Sequence, residues 1–332
     1  MTVLVTGGAG YIGSHMVHEL VDAGEPVVVL DNLSTGFRFL IPPSVPFVAG
    51  STDDRALVND IIARHGITAI IHFAASIVVP ESVSDPLGYY SNNTMNTCAL
   101  LDAAVKAGVQ HFIFSSTAAV YGTTGEAPVR ENAPTVPLSP YGTSKLMTEI
   151  LLHDAAKAHG LHFVSLRYFN VAGADPKLRT GQATLAATHL IKVACETAIG
   201  KRLKMEVFGT DYPTPDGTCI RDYIHVSDLV QAHSSSLAYL RSGGASTTLN
   251  CGYGRGASVF EVIKAVRRAC GRDFPIEISR RRPGDAPVIV ANVDRIHATL
   301  PWRPRFQNLD TIVAHALAWE NQLASRRKSI VS

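Results

Sequence analysis

The stretch TGGAGYIG at residues 6–13 joins a short apolar segment, residues 3–5, to a segment in which Ile12, Met16 and Leu20 are spaced as on one face of a helix. In such a position, glycines permit a tight turn, a close approach of the backbone to a pyrophosphate, and close packing of helix against strand. The first turn of the helix then presents N–H groups and a partial positive charge to the phosphates. The stretch therefore predicts a strand, a phosphate-binding turn and a helix. The alternative is a glycine turn that holds no ligand.

The same alternation of strand and helix continues from this loop to about residue 172. Val27–Leu30 is a continuous aliphatic run, typical of a strand that is buried on both faces. Further strands are predicted at 70–71, 112–114 and 164–168, and the intervening helices carry Leu57–Ile62, Leu100–Ala104 and Tyr141–His159. Strands that alternate with helices join through right-handed crossovers into a parallel sheet. We therefore expect an α/β fold with a Rossmann-like doubly wound parallel sheet over residues 1–172.

After residue 172 this rhythm changes. The strands shorten, and Pro and Gly cluster at residues 211–217 and 282–287, a composition typical of loops. We interpret residues 173–332 as a smaller α/β substrate-binding domain whose loops face the carboxyl edge of the sheet. Within it, we expect the segment 222–240 to return and pack on the first domain.

Composition excludes several classes of protein. Of the 332 residues, 46% are hydrophobic and 17% are charged, which is enough to build a core and excludes a disordered chain. The 30 Lys and Arg residues nearly balance the 28 Asp and Glu residues, which argues against a nucleic-acid-binding face. No apolar run approaches the ~18 residues that a membrane span needs, and the start of the chain does not resemble a signal peptide. We expect a soluble, cytoplasmic protein.

The cysteines and histidines indicate neither a disulfide framework nor a metal site. The five cysteines are scattered and none forms a CxxC pair, so we interpret them as free thiols. His15 and His18 form a close pair on the first predicted helix, but no third ligand stands nearby in the sequence. We interpret both as ordinary helix residues and predict no metal.

Asp31 ends the second predicted strand, where it indicates the cofactor. A carboxylate in this position accepts hydrogen bonds from the ribose hydroxyls of an adenine dinucleotide and repels a 2′-phosphate. The glycine loop and Asp31 together therefore predict NAD in preference to NADP.

Tyr141 and Lys145 form a candidate catalytic pair. They lie four residues apart behind Ser139-Pro140, which suit a helix N-cap and first position, so both fall on one helix face. A tyrosine with its ordinary pKa of about 10 must shift by about 3 units to act as a base near pH 7. The Lys145 ammonium, the helix N-terminus and an oxidised nicotinamide could supply that shift. A chance pairing within a helix is the alternative.

The glycine loop, the Ser116-Thr117 strand end and the Tyr141-x-x-x-Lys145 pair together resemble the extended short-chain dehydrogenase/reductase family. Within that family, the UDP-sugar 4-epimerase branch is matched along nearly the whole chain by the segments at 7–15, 31–33, 115–122, 167–170, 211–228 and 281–285. The resemblance implies an isomerase of galactose metabolism that interconverts UDP-galactose and UDP-glucose. Tyr141 takes the proton of the sugar 4-hydroxyl while C4 passes a hydride to bound NAD. The 4-keto sugar then turns and regains the hydride on its opposite face.

The resemblance also assigns site residues. Those expected to be catalytic are Tyr141, Lys145, Thr117 and Ser116. Those expected to contact NAD are Gly7, Gly10, Tyr11, Ile12, Gly13, Asp31, Asn32, Ser51, Thr52, Phe73, Ala74, Ala75, Asn92, Ser115, Tyr141, Lys145 and Tyr168. Those expected to contact the UDP-sugar are Thr117, Asn170, His189, Leu190, Val207, Phe208, Arg221, Tyr223, Arg282 and Asp285. Among the last group, the arginines offer forked donors that suit phosphate oxygens.

Some positions depart from the family pattern. Ser51 stands where many relatives carry an acid that contacts adenine, and Ile77 stands where some carry a lysine near the nicotinamide. Both substitutions bear on how tightly NAD is held. By family analogy, Ile289 borders the sugar, and it leaves open whether a UDP-hexose, a UDP-N-acetylhexosamine or a UDP-pentose is preferred.

The sequence bears on two alternative functions and on the formation of a homodimer. A nucleotide-sugar 4,6-dehydratase needs an Asp-Glu pair where this chain has Ala118-Ala119. A non-catalytic NAD-binding sensor needs neither Tyr141 nor Lys145. The apolar positions Leu146, Ile150 and Leu151, with the helix around Leu100, resemble the surface through which relatives form homodimers. The alternative is that these residues pack on the sheet.

Overall fold

The computed structural model describes residues 1–123, 128–185, 187–282 and 284–331, with side chains as far as residue 326. The described strands are β1 (Thr2–Thr6), β2 (Val27–Asp31), β3 (Phe47–Ala49), β4 (Ile67–His72), β5 (His111–Thr117), β6 (His162–Tyr168), β7 (Asn170–Ala172), β8 (Met205–Phe208), β9 (Ile220–Arg221), β10 (Tyr223–His225), β11 (Thr247–Cys251), β12 (Ala257–Ser258), β13 (Ile276–Ser279) and β14 (Val288–Ile289).

The described helices are α1 (Tyr11–Asp22), α2 (Arg55–His65), α3 (Val79–Ser84), α4 (Pro86–Tyr89), α5 (Asn96–Lys106), α6 (Pro140–His159), α7 (Leu190–Ala198), α8 (Val226–Arg241), α9 (Val259–Cys270), α10 (Asp294–Thr299) and α11 (Leu309–Val331). A π-helical turn, Tyr90–Met95, joins α4 to α5. Among these described helices, none is both long and apolar enough to span a membrane.

The central sheet is parallel and has seven strands in the order β11-β6-β5-β4-β1-β2-β3. The chain starts in the middle at β1, winds outward to β3, and then crosses to the other side at β4. Strands of a parallel sheet end at one edge, so the crossing opens a crevice at the carboxyl ends of β1 and β4. This arrangement confirms the predicted Rossmann-like doubly wound α/β fold.

Both faces of the sheet are covered, because successive residues of a strand point to opposite sides. Val5 and Val29 belong to an apolar core that also contains residues of α1 and α8. Leu4 and Phe112 belong to a second core with residues of α2, α5 and α6. The uninterrupted apolar runs of the sequence are explained by this two-sided burial.

The second half of the chain builds a smaller α/β unit with its own core. Ile191 of α7, Val207 of β8, Ile263 of α9 and Ile312 of α11 pack together there. In the parallel pair β8–β13, Phe208 ends β8 and the arginine-rich segment follows β13; the parallel pair β9–β14 lies in the same half of the chain.

The returning segment is longer than the predicted 222–240. After α8, the chain continues into β11, which pairs with β6 and forms an edge of the central sheet. The sequence of β11 is TTLNC, and three of these five residues are polar, so the segment does not show the apolar run by which the other strands were predicted. Its pairing is decided by the neighbouring strand rather than by its own composition.

Candidate active site

The glycine loop has the shape that a pyrophosphate requires. Gly7 has a φ of +70°, and a Cβ there would lie 2.5 Å from the Ala74 nitrogen. A Cβ on Gly13 would lie 2.1 Å from the Gly7 carbonyl oxygen, so helix and loop can approach only without side chains. At Gly10, in contrast, the nearest atom to such a Cβ is 3.2 Å away, and this residue N-caps α1 without a side-chain bond. The first-turn N–H groups of α1 are therefore available to an anion.

Asp31 is fixed beside this loop by two backbone bonds. Its Oδ2 accepts from the Ala9 nitrogen and its Oδ1 from the Leu33 nitrogen, both over 2.8 Å. Leu33 takes the left-handed conformation (φ 58°), which turns its N–H toward the carboxylate. Burial raises the pKa of Asp31, and the two hydrogen bonds oppose that rise. Each oxygen keeps a lone pair, so the carboxylate is positioned to accept hydrogen bonds from a diol.

The other predicted NAD contacts surround the same crevice. Asn32 follows Asp31 directly, and Ser51 and Thr52 follow the neighbouring strand, where the Gly50 nitrogen donates to the Asp31 carbonyl oxygen over 3.1 Å. Opposite them, the Phe73 nitrogen donates to the Thr6 carbonyl oxygen over 2.9 Å, which places residues 73–75 against the glycine loop.

Two further predicted contacts make bonds within the protein. The Tyr11 hydroxyl donates to the Gly173 carbonyl oxygen over 2.7 Å and so ties α1 to the start of the second half. Asn92 donates through Nδ2 to the Ser76 Oγ over 2.9 Å. Ile12 lies partly buried at the start of α1, next to Tyr11.

The start of α6 presents the predicted catalytic pair. Ser139 caps the helix by accepting from the Gly142 nitrogen over 3.3 Å, Pro140 occupies the first position, and Tyr141 follows. Tyr141 and Lys145 are 7% and 2% exposed. Thr117, at the end of β5, lies beside the Tyr141 hydroxyl, close enough to lower its pKa. Tyr141, Lys145 and Thr117 are therefore brought together as predicted.

The protein alone does not make Tyr141 a stronger acid. Burial raises its pKa, and the nearby Thr117 hydroxyl opposes that rise. Burial also lowers the pKa of Lys145 to about 7. In the chain without NAD, removal from water favours the neutral form of both groups. A lowered pKa of Tyr141 through Lys145, the helix N-terminus and oxidised nicotinamide stays a prediction for the cofactor-bound protein. Tyr168, a neighbour of Tyr141, likewise has its pKa raised by burial.

The strand end 115–117 corrects another expectation. Ser115 bonds through Oγ to the His233 Nε2 over 2.8 Å, whereas Ser116 donates to the Glu149 Oε1 over 2.5 Å and is 0% exposed. Neighbouring residues of a strand point to opposite faces. Ser116 therefore contacts the buried body of α6 and not the reacting centre, so its assignment as a catalytic residue is wrong.

The arginines predicted for the substrate meet their predicted neighbours in two pairs. Arg221, the last residue of β9, lies with its Nη2 3.5 Å from the Oδ1 of Asp285, which precedes β14. The Arg282 guanidinium lies 3.7 Å from the centroid of the Phe208 ring. Both pairs combine a cation with groups that suit a ribose or a base.

Polar groups suited to phosphate lie on the facing loops. Asn170 starts β7 and its side chain is exposed, while its backbone nitrogen donates to the Asp222 carbonyl oxygen over 2.9 Å. His189 precedes Leu190, the first residue of α7, and accepts through Nδ1 from the Gln182 Nε2 over 2.9 Å. Burial lowers the pKa of His189, so the ring is neutral and its Nε2 carries the proton.

Two predicted substrate contacts are largely buried. Val207 is 1% exposed and Tyr223 is 7% exposed, and both belong to the apolar core of the second half. Their contact with the substrate stays a prediction.

Several polar residues that position the site were missed by the sequence analysis. Asn93 accepts through Oδ1 from the Ser76 nitrogen over 2.7 Å and donates to the Ser144 Oγ over 3.0 Å, which joins the loop after β4 to α6. Asp222 accepts from the backbone nitrogens of Tyr253 and Gly254, each over 2.9 Å. No pattern used in the sequence analysis marks either residue.

His15 and His18, the histidine pair of α1, each hydrogen-bond through one ring nitrogen to a backbone carbonyl oxygen. His15 Nδ1 lies 2.7 Å from the Tyr11 carbonyl oxygen, and His18 Nε2 lies 3.1 Å from that of Leu40. Burial lowers the pKa of His15 to about 4.

Comparison with known proteins adds to this geometry. The model of the NAD dependent epimerase/dehydratase family matches residues 3–252. A UDP-glucose 4-epimerase of Azospirillum brasilense is 58% identical over 97% of this chain and 92% of its own length. The crystal structure of the UDP-glucose 4-epimerase from Brucella ovis with NAD is 42% identical, with a TM-score of 0.93 and coverage of 96% and 97% of the two chains. That of the Bifidobacterium longum enzyme with NAD and UDP is 37% identical, with a TM-score of 0.92 and coverage of 97% and 98%.

Proposed function

Because this chain belongs to the NAD-dependent epimerase/dehydratase family, we propose that it is an isomerase that interconverts UDP-galactose and UDP-glucose through a 4-keto intermediate. The observation that carries the proposal is the buried Tyr141, which lies beside Thr117 and one helical turn from Lys145. The similarity to UDP-glucose 4-epimerases over 97% of the chain supports it.

NAD is the cofactor of this family, and the residues present fit it. The loop Gly7–Gly13 would hold the pyrophosphate, Asp31 the adenosine ribose, and Lys145 the nicotinamide ribose. When bound, NAD takes the hydride from C4, returns it to the opposite face, and adds a positive charge that lowers the pKa of the adjacent phenol.

Tyr141 is the group that moves the proton. Its oxygen accepts the proton of the sugar 4-hydroxyl during oxidation and gives it back during reduction. Thr117 donates a hydrogen bond to the same oxygens and stabilises the phenolate. Lys145, held by the Ser115 carbonyl oxygen over 3.1 Å, keeps its position without contacting the sugar.

The substrate side must fix the nucleotide while the hexose turns. Arg221, Arg282 and Asn170 would bind the diphosphate, Asp285 the uridine ribose, and Phe208 the uracil. Charge-assisted bonds to phosphate are the strong anchors, whereas Ile289 borders the sugar with a non-directional surface. We assign residues 1–172, with the returning segment, to NAD binding, and the rest of 173–332 to UDP-sugar binding.

The proposal also includes a homodimer in the cytoplasm. An apolar surface lies on α3, α4, the π-helical turn and α6, where Val83, Leu87, Met95 and Ile150 are 65%, 78%, 67% and 54% exposed. Exposed apolar patches of this kind mark association sites. Of the three residues predicted for this surface, Ile150 faces outward, whereas Leu151 packs on the sheet core and Leu146 packs beside Tyr121.

The test is a product analysis. The purified protein is incubated with UDP-galactose, with and without added NAD, and the products are identified by nuclear magnetic resonance. We expect UDP-glucose at equilibrium, with added NAD required only if the protein loses it during purification. Parallel incubations with UDP-N-acetylgalactosamine and a UDP-pentose measure substrate preference. A 4-keto-6-deoxy product, or no product from any UDP-sugar, would contradict the proposal.

A further inference from the structure

Glu149 continues the catalytic face of α6. It lies four residues after Lys145 and eight after Tyr141, and it is 7% exposed. Its Oε1 accepts from the Ser116 Oγ at the end of β5. Lys145, one turn before Glu149 on the same face of α6, donates to the Ser115 carbonyl oxygen. Two residues of this helix face are therefore hydrogen-bonded to β5.

Arg167 of β6 holds the same carboxylate in a forked geometry. Its Nε lies 2.9 Å from Oε1 and its Nη2 lies 2.6 Å from Oε2 of Glu149. The two side chains are 8% and 7% exposed. A bidentate pair fixes both a distance and a rotation, which a single ion contact does not.

The arginine also reaches toward the substrate side. Its Nη1 donates to the Tyr121 hydroxyl over 3.0 Å, and that hydroxyl donates to the Asn250 Oδ1 over 2.6 Å. Asn250 donates to the Val129 carbonyl oxygen over 2.8 Å. Val129 in turn bonds to the backbone of Val290 and Asn292, each over 2.8 Å. Unbroken hydrogen bonds therefore connect α6 to the strand segment that carries Ile289.

We propose that Glu149 and Arg167 are positioning residues of the epimerisation, which together hold Tyr141 at a fixed distance from the sugar side of the site. The inference rests on the proposed function. Tyr141 must reach the C4 oxygen of a sugar that binds in two orientations, so a shift of α6 harms both half-reactions. A displacement of about 1 Å can cost about 10²-fold in rate. Stability alone explains the pair poorly, because apolar residues of equal volume often stabilise as well as a buried ion pair.

The test compares Glu149→Gln and Arg167→Lys with the wild type. The first variant keeps the shape of the side chain and loses its charge; the second keeps the charge and loses the fork. We expect kcat to fall about 10- to 100-fold in each, with KM for UDP-galactose and Kd for NAD within about twofold. In single-turnover experiments, the appearance of reduced nicotinamide absorbance should slow by the same factor.

Arg241→Lys is the matched control. Arg241 forms an ion pair of 2.8 Å with Glu25 at the far end of α8, and it touches none of the residues above. Its kcat should equal that of the wild type. Wild-type kcat in both test variants, or a rise of KM that equals the loss of kcat/KM, would overturn the inference. Absence of any wild-type epimerisation would instead overturn the proposed function.

Tyr121→Phe keeps the test decisive if either charged variant fails to fold. It removes only the hydroxyl between Arg167 and Asn250 and keeps the ring, which lies 4.9 Å from the guanidinium. We expect kcat to fall about 5-fold or more with unchanged KM. An unchanged kcat would show that the bonds beyond Arg167 do not position the site.

Discussion

The Nζ of Lys145 donates to the carbonyl oxygen of Ser115 over 3.1 Å and lies 4.9 Å from the centroid of the Phe114 ring. The ammonium is thus placed under the catalytic tyrosine by one backbone carbonyl and an aromatic face, and within the described part of the chain no carboxylate forms an ion pair with it. Burial without a counter-charge lowers the pKa of Lys145 to about 7.

This pKa predicts a pH dependence of stability. Between about pH 7 and 10 the unfolded chain holds the Lys145 proton and the folded cofactor-free chain does not, so the free energy of unfolding rises with pH. Relative to Lys145→Met, the wild type should gain up to about 4 kcal/mol over this range, at about 1.36 kcal/mol per pH unit. Urea unfolding of both proteins across the range measures the difference. A difference that does not vary with pH would show that Lys145 titrates normally.

Tyr141→Phe should lose epimerase activity and keep its cofactor. The substitution removes the oxygen that carries the proton and preserves the buried ring, so we expect kcat to fall at least about 10²-fold. Kd for NAD, measured by quenching of protein fluorescence, should stay within about twofold. Tyr239→Phe, on α8, is the control with wild-type kcat. Wild-type turnover of Tyr141→Phe would remove the tyrosine from the mechanism.

Asp31→Asn should weaken NAD binding. The amide cannot accept from Ala9, Leu33 and two ribose hydroxyls together, since one of its two ends is a donor. Losing a hydrogen bond to a charged group corresponds to about 1.5–3 kcal/mol, or about 10- to 100-fold in Kd. The ratio of the Kd for NADP to the Kd for NAD should fall, because the negative charge that repels the 2′-phosphate is lost. The exposed Asp154→Asn serves as control, and an unchanged ratio of the two Kd values would refute the role of the carboxylate.

Arg221→Met should impair binding of the nucleotide more than the chemical step. The guanidinium is the half-buried cation on β9, and its loss removes a charge-assisted bond to the diphosphate. We expect KM for UDP-galactose to rise about 10- to 100-fold with kcat within about threefold. Arg295→Met, on α10, is the control. A fall of kcat at constant KM would place Arg221 at the reacting centre instead.

Leu87→Glu combined with Ile150→Glu should disrupt the proposed dimer. Charges buried in an apolar interface cost several kcal/mol unless they are paired, so size-exclusion chromatography with light scattering should show a monomer. Leu203→Lys changes a side chain that is 93% exposed on another part of the molecule, and it should leave the mass unchanged. A wild-type monomer would remove the dimer from the proposal.

The comparison of Ser116 with Thr117 shows where prediction from sequence ends. Both residues end the same strand, and both carry a hydroxyl. Only the register of β5 against α6 decides that Thr117 meets Tyr141 and that Ser116 meets Glu149. The pKa of Tyr141 is a similar case, because the balance of burial against charge depends on the surrounding atoms and not on the four-residue spacing.

The glycine turn, the capped start of α6 with Tyr141 above Lys145, and the acid at the end of β2 are all predictable from the amino-acid order. Each of these follows from spacing within one short segment, where backbone geometry leaves few alternatives. The bonds that link Glu149 through Arg167 and Tyr121 to Asn250, and the addition of β11 to the sheet, arise from long-range packing. These groups come from separate elements, and no local pattern specifies which buried polar side chains satisfy one another, because that choice is made by the packing of the whole chain.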